Sequence, residues 1–283
     1  MISIIICSRE KTISKTLQDN LYTTVGCECE LIVIDNSQNK HSIFEAYNLG
    51  IKKSKGEFLC FIHDDIIVHT QDWGKIIERI FKTNIDYGLL GIAGSTIKTK
   101  MPSAWWDCED SCKRMNLIQH FANGENKDWQ IGWQNEVLEE VVVIDGVFMV
   151  TRSNDGVRFN EQLMGFHNYD LNLSFEYIKK GFKVMVTKNI LIEHFSIGKL
   201  DESWYNSTLQ VHELYKKLLP LSVQESYDFK KEEIKNGIRF ISGLLGFKML
   251  KEAFMLWFML LLLKPISKFH YHFVKEYIKI CLR

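Results

Sequence analysis

Gly56-Glu57-Phe58-Leu59-Cys60-Phe61-Ile62-His63-Asp64-Asp65 is the stretch that decides what kind of chain this is. Residues 57–62 read as a strand, and one too apolar for the acids that end it to be an incidental surface loop. Two adjacent carboxylates repel each other unless a cation or hydrogen-bond donors offset their charge. A hard divalent ion bridging a carboxylate and a diphosphate satisfies that need. The competing reading is a solvated turn whose aspartate caps the next helix.

Working outward, apolar runs at 2–7 and 30–34 alternate with helical patterns at 10–22 and 41–54, the second closed by Gly56. Downstream, 72–82 reads as a helix and 87–93 as a strand. Strands and helices alternating at this spacing predict an α/β fold with a mostly parallel sheet covered by helices. In such a sheet ligands bind beyond the carboxyl ends of the strands. Ser8-Arg9, Asp35-Asn36-Ser37 and His63-Asp64-Asp65 stand there.

From 96 to 134 the periodicity disappears, as in a long functional insertion, and Trp105, Trp106, Trp129 and Trp133 collect among polar residues. A strand run returns at 139–150, broken by Asp145-Gly146; a carboxylate inside such a run is costly unless it meets a hydroxyl, a metal or backbone donors. A helix over 169–180 ends at Gly181, and 182–193 supplies a strand pair before His194.

Bulk composition excludes several classes. Lys plus Arg and Asp plus Glu are equal at 35 each, so no overall field draws the 283-residue chain to nucleic acid. The first nine residues lack the basic region and cleavage site of a signal peptide, which predicts a cytoplasmic protein. Its seven cysteines then read as reduced thiols, with Cys7, Cys60 and Cys281 as core residues. Cys108 and Cys112 stand four apart, but no second Cys or His pair at zinc-site spacing follows.

Beyond about residue 214 the chain reads as helices. Residues 230–283 carry eleven Lys or Arg against four Asp or Glu. The longest uncharged apolar run, 253–263, has eleven residues where a spanning helix needs about twenty. Apolar nearly all round and flanked by Lys248, Lys251, Lys264 and Lys268, it fits an interfacial helix on the inner membrane surface. It equally fits a hairpin packed on its own domain or on a second copy in a homodimer.

Glu45-Ala46-Tyr47-Asn48-Leu49-Gly50-Ile51, followed by Gly56 to Asp65, resembles the helix, strand and metal-binding DXD signature of the inverting family 2 glycosyltransferases. The similarity covers about 1–198 and is nearest the branch with His-Asp-Asp in place of a strict Asp-X-Asp. The resemblance implies a GT-A fold, with a catalytic domain over 1–213 and a basic, apolar helical region over 214–283. Within the catalytic domain, about 1–95 would take the nucleotide sugar and about 96–213 the acceptor. It also implies a nucleotide-diphosphate sugar donor, in first place a UDP-sugar, with Mn2+ or Mg2+. The acceptor would be a sugar or lipid-linked hydroxyl, in cell-surface polysaccharide or glycolipid synthesis.

Carried onto this sequence, Asp65 and His194 would hold the metal. Ser8, Arg9, Asp35, Asn48, His63, Asp64, Asp145, Gly146 and Lys199 would contact the donor. Gly165-Phe166-His167-Asn168-Tyr169-Asp170 resembles the acceptor-side segment that keeps the catalytic base; His167-Asn168 stands where many members have Glu-Asp, leaving Asp170 and His167 as candidates. The four tryptophans would stack on sugar faces or form the insertion's own core. Two other readings stand beside this one. A non-catalytic relative would serve as a sugar-binding or assembly subunit. A nucleotidyltransferase would need a Gly-rich basic loop where Cys7-Ser8-Arg9-Glu10 stands instead.

Overall fold

The computed structural model describes residues 1–134, 136–154, 156–196 and 198–282. Ile197, in the segment around His194, and Arg283, at the end of the tail, lie outside the described residues.

The first half alternates as its apolar runs predict: β1 (Ile2–Ser8), α1 (Lys15–Thr24), β2 (Cys29–Asp35), α2 (Ile43–Lys53), β3 (Phe58–Ile62), β4 (Ile66–Val68), α3 (Trp73–Thr83) and β5 (Tyr87–Gly91). Short strands follow, β6 (Ala93–Ser95) and β7 (Ile97–Lys98), then the hairpin β8 (Lys113–His120) and β9 (Asn126–Ile131). The chain continues through β10 (Leu138–Val141), β11 (Val143–Ile144), β12 (Phe148–Arg152), α4 (Tyr169–Lys179), β13 (Lys183–Thr187), β14 (Ile192–His194) and α5 (Glu202–Leu214). It ends with β15 (Leu221–Ser222), α6 (Lys230–Gly246), α7 (Leu250–Leu263) and α8 (Lys268–Cys281).

The main sheet has seven strands in the order β10-β13-β5-β12-β3-β1-β2. Its N-terminal strands, β2, β1 and β3, run parallel, while β12 enters antiparallel between β3 and β5. The sheet is therefore mixed in its second half. Side-chain alternation divides the core between its faces. Ile2, Ile4 and Ile6 of β1 and Phe58, Cys60 and Ile62 of β3 pack with Leu17, Leu21, Trp73 and Ile77 of α1 and α3. Ile5, Leu59 and Phe61 point the other way, onto Phe44, Tyr47 and Phe175 of α2 and α4. Ser42 and Glu45 close a capping box at the start of α2. The contact between α2 and the sheet is close enough that a Cβ on Gly50 would stand 2.3 Å from Cγ2 of Ile5.

The stretch without periodicity is irregular over 99–109 and then forms the β8–β9 hairpin. β8 is the centre of a second sheet, β11-β6-β8-β14-β4, with β9 paired on β8. Polar residues conceal it: Asn116 and Gln119 are buried, yet their amides donate to the carbonyls of Lys188, Ile190 and Ser196, so burial costs little. Cys281 also departs from expectation. It is exposed at the end of α8, because α8 turns that side to solvent, whereas Cys60 is buried and Cys7 half-buried.

The tail packs on the rest of the chain through α6. Phe240, Ile241 and Leu244 share one core cluster with Met101, Ala104, Trp204 and Tyr205 on one side and Ala253, Leu256, Leu260 and Phe273 on the other. A division at residue 213 cuts through that cluster. No helix among the described residues is long and apolar enough to cross a membrane.

Candidate active site

β3 ends at Ile62, and the turn His63-Asp64-Asp65 leads straight into β4. β14 pairs antiparallel with β4 so that His194 lies opposite Ile66, which sets it beside Asp65. Nε2 of His194 stands 3.5 Å from Oδ1 of Asp65 and 3.1 Å from Nδ1 of His63. Ligand atoms of His63, Asp65 and His194 all lie within 4.8 Å of one another. Burial pushes the Asp65 carboxyl up, but hydrogen bonds from His194 and Ser196 and the nearby imidazoles outweigh it, holding the group well below the usual carboxylate range. Burial, with His194 beside it, pushes the His63 ring down against the pull of Asp65. An ionised carboxylate and two imidazoles converging on one point are a donor set that Mn2+ or a similar divalent ion accepts. Among the described residues no other group of His, Cys, Asp and Glu is placed to hold a metal.

Gln119 of β8 orients the histidine. Its amide donates to the Ser196 carbonyl at 2.8 Å, which turns Oε1 toward Nδ1 of His194 at 3.0 Å. That network holds a proton on Nδ1 and turns Nε2, which donates to Asp65 when it too is protonated, toward the cluster. On the other side Tyr169 Oη lies 2.5 Å from Nε2 of His63. The ring reaches there by crossing Gly146, where a Cβ would stand 2.3 Å from Oη. Sequence reading missed Gln119 because it lay in the stretch without period, and Tyr169 because it looked like an ordinary first residue of a helix.

Asp64 turns away from this cluster. Its Oδ2 accepts from Ser8 Oγ at 3.0 Å and from the Arg9 amide at 3.3 Å, and the exposed Arg9 guanidinium is 3.9 Å from Oδ1. Asp35 pairs in register with Ser8 at the adjacent strand end and is exposed, with Oδ1 accepting from the Ser37 amide. These four residues form one edge. Asn48 is not part of it: its Nδ2 donates to the Phe159 carbonyl and Glu161 Oε1 at 2.8 Å each, and its Oδ1 accepts from the Phe159 amide. Buried with its polar atoms engaged, Asn48 ties α2 to the 159–161 segment instead of reaching the donor.

A small cavity of about 170 Å³ lies beside the cluster, lined by His63, Asp145, His167, Asp170, His194 and Lys199 among others. Asp145 accepts from Trp105 Nε1 and from the Val147 amide, both at 2.8 Å. Asp170 is half-buried, its Oδ1 accepting from the Leu171 amide. Burial, with the charge of Asp145 nearby, raises its pKa to about 7. His167 is held instead by α5, its Nε2 lying 3.1 Å from Ser203 Oγ, and burial pushes its pKa down. Asn168 adopts a left-handed φ of 58° and donates to Ser207 and Thr208, which aims Tyr169 and Asp170 inward as α4 begins.

The tryptophans separate by role. Trp105 is buried, and Trp133 donates to the Met115 carbonyl against the same core. Trp106 is 37% exposed and lines both the small cavity and an adjoining one of about 500 Å³, which Trp129 also lines.

Comparison with known proteins gives these features a setting. The model of the "Glycosyltransferase like family" matches residues 3–239. No curated protein matches the sequence. Among solved structures, GalNAc-T7 with UDP, GalNAc and Mn2+ is similar at a TM-score of 0.51 and 10% identity, over 75% of this chain and 47% of that one. S. aureus TarS 1-349 in complex with UDP-GlcNAc is similar at 0.50 and 12% identity, over 87% and 73%. The chain thus spans about half the length of GalNAc-T7, and at such identities these likenesses speak for the fold alone. With most of its length matched by the family model and an α/β architecture shared with GT-A glycosyltransferases, the chain belongs to the glycosyltransferase-like family.

Proposed function

We propose that this protein transfers a sugar from a nucleoside-diphosphate sugar, in first place a UDP-sugar, to an acceptor hydroxyl with inversion. The observation that carries the proposal is the convergence of His63, Asp65 and His194 where β3 and β14 end. Asp65 and His194 would hold a divalent cation with His63 beside them; that ion supplies positive charge against the negative charge developing on the leaving diphosphate. Ser8, Arg9, Asp35 and Asp64 form the neighbouring edge of polar groups suited to the nucleoside, and Lys199 stands exposed at the cavity for a phosphate.

Asp170 takes the proton of the acceptor hydroxyl. Its pKa of about 7 sets its proton affinity close to the working pH, where a general base is most effective. His167 sits at the mouth and shapes the acceptor's entry. The exposed face of Trp106 offers a platform for a sugar ring. We place this chemistry on the cytoplasmic side, in cell-surface polysaccharide or glycolipid synthesis.

Thermal shift with a panel of nucleotide sugars, with and without Mn2+, tests the proposal. A donor at a hundred times its Kd adds about 2.7 kcal/mol to stability. The expected result is stabilisation by one donor that requires the metal and disappears in Asp65→Asn. Stabilisation by nucleotide sugars that is unchanged in Asp65→Asn overturns the metal assignment, and no stabilisation by any of them overturns the donor class.

A further inference from the structure

α7 is apolar on every side but buried on only one. Ala253, Leu256 and Leu260 pack on α6, while the opposite face presents Phe254, Met255, Phe258, Met259 and Leu262, each 41–69% exposed. α8 repeats the arrangement: Phe273 is buried, whereas Tyr271, Val274, Ile278 and Leu282 are 42–82% exposed along one strip. The ring pairs Phe254–Tyr277 and Trp257–Phe273 require the two helices to run antiparallel, which turns both strips to the same side of the hairpin. Ile266, 92% exposed, stands in the connection between them. Together these residues form one continuous apolar surface, far beyond the isolated exposed side chains of an ordinary monomer.

The charges around that surface identify its occupant. Residues 247–282 carry six lysines, at 248, 251, 264, 268, 275 and 279, against two acids, Glu252 and Glu276. Lys251 and Lys264 bracket the exposed face of α7 lengthwise, and Lys268, Lys275 and Lys279 follow one another down the flank of the strip on α8. Among the described residues only Lys279 of the six makes an ion pair, with Glu276. Protein–protein interfaces are depleted in lysine, whereas an apolar face edged with unpaired lysines matches a bilayer with anionic headgroups. With fourteen residues α7 is about 21 Å long, too short to span and long enough to lie in the headgroup plane.

We propose that α7 and α8 form a docking surface for an anionic lipid bilayer, entered by Phe254, Phe258, Leu262, Ile266 and Ile278 and held by the lysines at its edge. Binding to lipid does not depend on the sugar-transfer reading and is measured separately from it.

Flotation of the full chain with phosphatidylcholine vesicles, with and without phosphatidylglycerol, tests the proposal. The full chain floats with the anionic vesicles and is released by high salt. Phe258→Glu abolishes flotation, and in Lys268→Glu/Lys275→Glu each lysine lost weakens binding about fivefold or more. Metal-dependent donor stabilisation, read in parallel, remains at the wild-type level in these variants. Should Phe258→Glu fail to fold by circular dichroism, the lysine variant carries the test, since its side chains are exposed. Three outcomes overturn the proposal: a full chain left unbound by anionic vesicles; flotation that neither folded variant weakens; or a dimer by light scattering that Phe258→Glu dissociates while no vesicle binds.

Discussion

At the residue scale, the two aspartates after β3 do different work because their neighbours differ. Asp65 meets two imidazoles, whereas Asp64 meets a serine hydroxyl and a backbone amide. That a pair of acids stands at the end of β3 was legible from their place after an apolar run. That they diverge was not, since it depends on β14 arriving from 131 residues away. Asp170 offers the sharpest test at this scale. Its folded-state pKa of about 7 lies above that of an unfolded aspartate, so between roughly pH 4 and 7 the native state holds more protons. Its stabilising contribution is complete below about pH 4 and is lost as the pH rises through 7. Asp170→Asn removes that loss. The variant should match the wild type in Tm at pH 4 and exceed it by roughly a few degrees at pH 8, read by calorimetry. Transfer should rise through about pH 7 in the wild type and collapse in the variant, with donor affinity kept. Greater loss of transfer in His167→Ala than in Asp170→Asn would give the base role to His167.

At the element scale, the parallel half was legible because β1, β2 and β3 are short runs rich in β-branched or aromatic residues and α2 has a recognisable start in Ser42 and Glu45. β8 was hidden because Asn116 and Gln119 face inward and are satisfied by carbonyls of other segments, so binary patterning fails where a polar network replaces apolar packing. The contact between α2 and β1 yields a quantitative expectation. In Gly50→Ala the added carbon would sit 2.3 Å from Ile5 Cγ2, so the helix or the strand must move. Overpacking of this kind costs about 1–3 kcal/mol. Urea unfolding should show the loss, and Ile5→Leu in the same chain should return part of it, because leucine carries no methyl on Cβ where Ile5 Cγ2 clashes.

At the scale of the whole molecule, α6 belongs to the body of the fold as much as to the tail. Glu233 accepts from the amides of Lys100 and Met101 at 2.6 and 2.7 Å, and Asn236 donates to Thr99 and to the Asp107 carbonyl. The strap from 98 to 107 that carries Trp105 and Trp106 is thus stitched to a helix that the amino-acid pattern assigns to a separate region. A chain ending at 213 exposes Trp204 and Tyr205 and removes the bonds that Glu233 and Asn236 make to that strap. It should bind a hydrophobic dye and unfold at a markedly lower temperature than the full chain, while a chain ending at 247 keeps the α6 contacts and loses less. Equal melting of the two truncated chains would show that α6 contributes nothing to the strap.

The pairing of His63 with His194 also governs when the molecule becomes complete. A ribosome delivers the turn after β3 early, together with all three parallel strands that support it, but the partner imidazole emerges only after β8 and β14 can pair. Until then the growing chain has a carboxylate and a single ring, a weak place for any cation. Contacts between positions this distant close slowly, because a long loop must be ordered first. The cluster of Asp65 with both imidazoles is therefore among the last features of the fold to close, after the first sheet has formed and only once the second holds β14 in place.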